Sequence, residues 1–166
     1  MAGAGLKLLT RRPYPVFELD VTSAHLPESI ATFSGEDELA SRILVVDDEE
    51  NICNYLIELF KLEGWSADAA YDGYQGVKMA TDENYDVIVM DILMPRMTGI
   101  EATKEIMRRK PDSNIVVITG APYRKQAQEA LDCGAKKFIK KPFSSSTIIE
   151  AVRDIIDNNK VEKPQT

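Results

Sequence analysis

YDVIVMDILMPRMTG, residues 85–99, contains an unbroken apolar run from Val87 to Met90 with no polar residue on either face. Such a run suits a strand covered on both sides, as in a parallel sheet with helices packed above and below. Asp91 follows directly, which places a carboxylate where the buried strand ends and a loop begins. In open α/β sheets the loops at the carboxyl ends of the strands are where ligands bind. Met94-Pro95 and Thr98-Gly99 then supply turn residues that stop the strand and reset the chain for a helix.

Working outward, strand and helix patterns alternate five times from Arg42 onward. Ile43 to Val46 is a first apolar run, closed by Asp47-Asp48-Glu49-Glu50. Asn51 to Glu63 carries Ile52, Tyr55, Leu56, Leu59 and Phe60 at helical spacing, with Gly64 as its stop. Trp65 to Tyr71 is a shorter strand. Asp72-Gly73 turns into a second helix that offers Val77, Met79 and Ala80 for packing. After the central strand, Ile100 to Arg109 forms a third helix with Ala102, Ile106 and Met107 available for packing, broken by Pro111. Ile115 to Ile118 is a fourth buried strand ending at Thr119-Gly120. Pro122 suits the first turn of a fourth helix, which runs to Cys133-Gly134. Lys136 to Lys140 is a fifth strand closed by Lys141-Pro142-Phe143. A last helix starts among Ser144 to Ser146 and carries Ile148, Ile149, Val152, Ile155 and Ile156. This alternation predicts a doubly wound parallel sheet with helices on both faces.

Residues 1–41 stand outside the alternation. Phe17, Leu19 and Val21 alternate with Glu18, Asp20 and Thr22, the pattern of one half-buried strand, and Ser34 to Glu38 reads as a linker. The expected organisation is an extension over 1–41, one domain over 42–160 and a tail over 161–166.

Composition narrows the function. The 166 residues, 44% hydrophobic and 28% charged, are globular rather than disordered. A net charge of -7 argues against binding nucleic acid and suits a chain that gathers acidic groups around a cation. Cys53 and Cys133 lie inside helical patterns without CxxC spacing and read as small core residues in a reducing cytosol. No run reaches membrane-spanning length and no signal pattern opens the chain, so the expectation is a soluble, cytoplasmic protein with no membrane contact.

Side by side, the strand ends bring polar signals together: Asp47 and Asp48 from the first, Asp91 from the third, Thr119 from the fourth, Lys141 from the fifth. The first and third strands can be neighbours in a doubly wound sheet, which would put three carboxylates into one pocket. Clustered carboxylates repel unless their pKa values rise or a cation neutralises them. An oxygen-only donor set points to a hard cation, Mg²⁺. With a lysine and a hydroxyl added, the assembly suits a bound phosphoryl group, one carboxylate serving as the nucleophile that accepts phosphorus. Each piece also has a plainer reading: Asp47 and Asp48 as caps of the first helix, Thr119 as a cap of the fourth, Lys141 as a solvated charge.

The combination of VVDDE at 45–49, DILMPRMTG at 91–99, TGA at 119–121 and KPF at 141–143 resembles the receiver domain of two-component response regulators, over about Ser41 to Asn159. The resemblance implies a flavodoxin-like five-stranded sheet in the order 2-1-3-4-5. It implies that Asp91 takes a phosphoryl group from a phosphohistidine of a sensor kinase or phosphotransfer protein, and that the chain is a signalling switch rather than an enzyme, promoting only its own phosphorylation and dephosphorylation. Asp48, Asp91 and the backbone carbonyl of Leu93 would hold Mg²⁺, with Asp47 assisting through water. Lys141 would pair with phosphoryl oxygens and Thr119 would move toward them. Phe138 matches the family's switch aromatic, more often tyrosine. The fourth and last helices and the fifth strand would present the changed face to a downstream protein. Only a short tail follows Asn159, so no C-terminal DNA-binding or catalytic effector is expected in this chain. Leu93 and Ala121 stand where the family flanks the path of attacking water, and neither side chain can orient it.

Three other functions compete. A metal-dependent phosphohydrolase with an aspartyl-phosphate intermediate would carry D-x-D after the first strand, whereas Asp47 and Asp48 are adjacent. A nucleotide or flavin module would need a glycine-rich loop, and none follows a strand. A phosphohistidine carrier would rest on His25, which lies in the extension and reads as a surface residue.

Overall fold

The computed structural model describes residues 40–120 and 123–162. The strand read into Phe17 to Val21, His25, the linker at Ser34 to Glu38, and the positions Ala121 and Pro122 lie outside them. In order, the described elements are β1 (Arg42–Val46), α1 (Glu50–Leu62), β2 (Ser66–Ala70), α2 (Gly73–Asp82), β3 (Val87–Asp91), α3 (Gly99–Arg109), β4 (Ile115–Thr119), α4 (Tyr123–Asp132), β5 (Lys137–Lys140) and α5 (Ser145–Glu162). The strands form one sheet in the order β2-β1-β3-β4-β5, every neighbouring pair parallel. The sheet order and doubly wound architecture are those expected from the motifs.

Two cores lie on opposite faces of the sheet, because successive residues of a strand point to opposite sides. Ile43 and Val45 of β1 and Val87 and Val89 of β3 join Cys53, Leu56 and Phe60 of α1 and Ile148, Val152 and Ile155 of α5. Leu44 and Val46, with Ile88 and Met90, face Val77 and Ala80 of α2, Ala102 and Ile106 of α3 and Ala130 of α4. The apolar runs Ile43 to Val46, Val87 to Met90 and Ile115 to Ile118 within β1, β3 and β4 are thus the consequence of having a helix layer on each side. β2 differs because it is an edge strand. Its Asp68 is held by the guanidinium of Arg42 at 2.6 Å, which also reaches Glu83 at 2.5 Å and lies over the Tyr85 ring.

Helix ends follow the local signals. Gly64 closes α1 with φ +80°, a left-handed conformation that costs glycine least. Asp72 caps α2 by accepting from the Gln75 N–H at 2.8 Å, and this hydrogen bond holds its carboxyl below the usual range. Thr98 and Glu101 form a capping box at the start of α3.

Three readings are corrected. Tyr55, read into the apolar stripe of α1, is 45% exposed, since the buried row of that helix is Cys53, Leu56 and Phe60, and its hydroxyl reaches Ser145. Cys133 is only half-buried, because α4 ends at Asp132 and leaves it in the following turn. The last helix continues to Glu162, past the boundary expected at 160.

Candidate functional site at the carboxyl end of the sheet

The register decides which strand ends meet. Val46 pairs with Met90, so Asp47 leaves β1 beside Asp91, the last residue of β3. Thr119 pairs with Lys140, so Lys141 leaves β5 next to the end of β4. Its backbone N–H donates to the Thr119 carbonyl at 2.8 Å, and a cis peptide to Pro142 follows.

The Lys141 ammonium lies 2.8 Å from Asp91 Oδ1 and 3.0 Å from Asp47 Oδ2, with Glu49 at the margin, 3.9 Å away. Both partner carboxylates are buried, Asp47 at 2% and Asp91 at 4% exposure. Their second oxygens are engaged by backbone. Asp47 Oδ1 accepts from the Glu49 N–H at 2.9 Å, and Asp91 Oδ2 accepts from the Leu93 N–H at 2.7 Å. Burial raises the Asp91 carboxyl above its ordinary value, and the Lys141 ammonium pulls against that shift. For Lys141, burial acts to lower the pKa, but hydrogen bonds to Asp91 and Asp47 outweigh it and hold the ammonium above its ordinary value. Burying two carboxylates against a single ammonium is a cost to the fold that packing alone would not select.

Nor is that cost repaid by helix capping. The N-cap of α1 is Glu49, and its side chain accepts no capping hydrogen bond; Asp47 serves the loop and Asp48 makes no hydrogen bond or ion pair among the described residues. The plainer reading of Asp47 and Asp48 as caps of α1 therefore fails. Lys141 is likewise no solvated surface charge.

One expectation about geometry is corrected. The three carboxylates do not converge: Asp48 is exposed, and among the described residues no three acidic, histidine or cysteine side chains group as a cation site. The physical reason is that the single Lys141 ammonium only partly offsets the two buried carboxylates, so a third is repelled from them, and Asp48, one residue further along, stays hydrated. The donor chemistry still fits a hard cation. The nearby sulfur, Cys53 Sγ, donates to the Asp47 carbonyl at 3.3 Å, and burial pushes its thiol up to about 11, so it remains protonated and offers no thiolate. The remaining donors are oxygens: three carboxylates and backbone carbonyls.

Thr119 is buried, and its hydroxyl donates to the Gly120 carbonyl at 3.2 Å. Phe138 stands on β5 with 44% of its surface exposed, and Leu93 in the loop after β3 is 53% exposed. Sequence reasoning overlooked how that loop is anchored. Arg96, at φ 68°, reaches the α2 cap Asp72 at 2.6 Å, and Met97 packs on Gly73. The signal available was Asp72-Gly73 at the mouth of the site, read only as a turn.

The profile of the family described as "Response regulator receiver domain" matches residues 43–153. The chain is 34% identical over 118 residues to the chemotaxis protein CheY of Halobacterium salinarum, covering 71% of this chain and 98% of that one. A crystal structure of a receiver domain protein from Clostridium thermocellum superposes with a TM-score of 0.71 at 26% identity, covering 74% of this chain and 99% of that one. The response regulator TrrA of Thermotoga maritima, solved in complex with Mg(2+)-BeF, gives 0.64 at 34% identity, covering 69% and 98% respectively.

Proposed function

The chain belongs to the response regulator receiver domain family, and on that ground we propose that it accepts a phosphoryl group on Asp91 from a phosphohistidine of a sensor kinase or phosphotransfer protein. The observation that carries this reading is the buried Asp91 carboxylate held 2.8 Å from the Lys141 ammonium at the end of the central strand. An Asp91 oxygen attacks phosphorus as the P–N bond of the donor breaks, and the imidazole leaves with the bonding pair and takes up a proton. Lys141 stays beside the new acyl phosphate and offsets its charge. Asp48, Asp91 and the Leu93 carbonyl would hold Mg²⁺, with Asp47 assisting through water; bound there, the cation neutralises charge on the phosphoryl oxygens. TrrA, a relative with this fold, was solved with Mg(2+)-BeF, which supports the assignment.

The switch follows from charge. A phosphoryl group adds roughly -1.5 to -2 at neutral pH, by analogy with phosphorylated hydroxyls. The Thr119 hydroxyl, held by its neighbour's carbonyl, turns toward it, and Phe138 moves from its exposed position into the space released. α4, β5 and α5 then present a changed face to a downstream protein. The reading places the chain in the cytoplasm as a signalling switch; no helix among the described residues is long and apolar enough to cross a membrane.

The primary test is incubation with acetyl phosphate and Mg²⁺ followed by intact mass. A gain of one phosphoryl group is expected, and no gain in any condition rejects the reading. Asp48→Ala is expected to weaken Mg²⁺ at least about tenfold, as loss of a metal's supporting groups commonly does. Calorimetry is the measurement, because Trp65 precedes the first residue of β2 and sits at the far end of the sheet from Asp91. Unaltered affinity would contradict the ligand set. Leu93→Asn is expected to shorten the lifetime of the phosphorylated form several-fold, because Leu93 has no polar group to orient attacking water. Decay of phosphorylated mass after donor removal measures it, and equal rates would place control elsewhere.

A further inference from the structure

We propose that the groove between α2 and α3 is a docking site for a partner segment carrying an aliphatic or aromatic anchor flanked by acidic residues. The inference goes beyond phosphoryl acceptance and concerns a surface separate from the α4–β5–α5 face. The groove is open to solvent, offers a volume of about 670 Å³, and has Tyr74 and Val77 of α2, Met97 at the end of the acceptor loop and Lys104 of α3 among a largely charged lining. Tyr74 is 56% exposed beside it. An isolated exposed side chain such as Leu62 asks for no explanation, but an exposed aromatic beside a cleft with Val77 and Met97 offers an anchor pocket. Two helices flanking such a cleft are the setting in which an amphipathic segment seats its apolar side.

Charge selects the occupant. Lys78 is spent on Asp82 at 2.9 Å, and Arg108 and Arg109 share the single carboxylate of Glu105. Glu101 is taken up by the Thr98 capping box. Lys104 is exposed and makes no ion pair among the described residues. The groove therefore carries surplus positive charge on a chain whose net charge is -7, which favours acidic flanks on the occupant and disfavours a second copy of this acidic chain. The groove is also contiguous with the acceptor loop, since Met97 packs on Gly73 while Arg96 pairs with Asp72. A segment seated against Met97 touches the loop that leaves Asp91.

The test uses the full chain, without phosphodonor, against a library of random 16-residue peptides displayed on phage. Enrichment of sequences that combine one or two large apolar residues with acidic neighbours is expected. A synthetic representative should lose at least tenfold in affinity with Tyr74→Ala and with Lys104→Glu, while a version with its acids replaced by lysine regains affinity for Lys104→Glu. Both positions are exposed, and circular dichroism confirms that the variants fold. Four outcomes overturn the proposal: enrichment of basic sequences, binders insensitive to both variants, no enrichment over the double variant, or self-association of the chain abolished by the same substitutions. Because no phosphodonor is present, failure here leaves the assignment of Asp91 standing, and failure of that assignment leaves this test unaffected.

Discussion

Asp91→Asn is expected to gain no phosphoryl mass with acetyl phosphate and Mg²⁺ under conditions that phosphorylate the unaltered chain. The amide keeps the shape of the side chain and its place beside Lys141 but removes the nucleophilic oxygen. Loss of activity by unfolding would look the same, so stability must be read alongside. Burial raises the Asp91 carboxyl, so its ionised form weighs against the folded state. That penalty is absent below the ordinary carboxylate range, grows as pH rises toward the raised folded value, and is fully present above it. Replacing the carboxylate removes it, and Lys141 keeps Asp47 at 3.0 Å. The variant should therefore unfold at a urea midpoint no lower than that of the parent at pH 7. Phosphorylation equal to the parent would move the acceptor elsewhere, and a clearly lower midpoint would show that the ion pair, not desolvation, dominates at Asp91.

Gly99→Ala is expected to carry the largest stability cost of any glycine-to-alanine change among the described residues. A Cβ at this position would stand 1.9 Å from the backbone oxygen of Asp91 and 2.9 Å from Ile92 Cα. Neither neighbour can yield easily. β3 is hydrogen-bonded on both sides, the Ile92 N–H donates to Ile118 at 2.9 Å, and Gly99 itself donates to Ile92 at 2.9 Å. Overpacking in a closed site costs about 1 to 3 kcal/mol and occasionally more, and contact with backbone puts this case at about 3 kcal/mol. The same displacement moves Asp91, so slower phosphorylation should accompany it. Gly120→Ala is the control: among the described residues nothing lies within 4 Å of its added Cβ, and its effect should stay within about 0.5 kcal/mol. Equal urea midpoints for the two variants would show that the loop after β3 relaxes at little cost.

Several features of this protein were legible in its order of residues because they depend on local chemistry. Val87 to Met90, Ile43 to Val46 and Ile115 to Ile118 are apolar on both faces, which only a doubly covered sheet accommodates, and the helical spacing between them supplies the covers. Asp47, Asp91, Thr119 and Lys141 were found because a polar residue directly after a buried strand lies at its carboxyl end whatever the rest of the chain does. Even Tyr55 fell where a helical stripe can be read two ways, and only neighbouring α5 decided it.

Tertiary structure alone settled what those residues do to one another. Lys141 and Asp47 are 94 residues apart in sequence, and their ion pair exists because β1 and β5 end on the same side of one sheet. With Asp91 in the same contact, one ammonium only partly offsets two buried carboxylates, which leaves no place for a third, so a cluster of three carboxylates read from strand-end positions becomes two buried partners and one hydrated neighbour. Gly99 looked like a turn residue, and its stricter role follows from the Asp91 carbonyl lying against it. The α2–α3 groove had no sequence signal, since Tyr74, Met97 and Lys104 are unremarkable singly and meet only through helix packing. Period and strand-end position are properties of a short stretch, whereas burial of charge, ion pairing and close approach depend on which distant segments become neighbours.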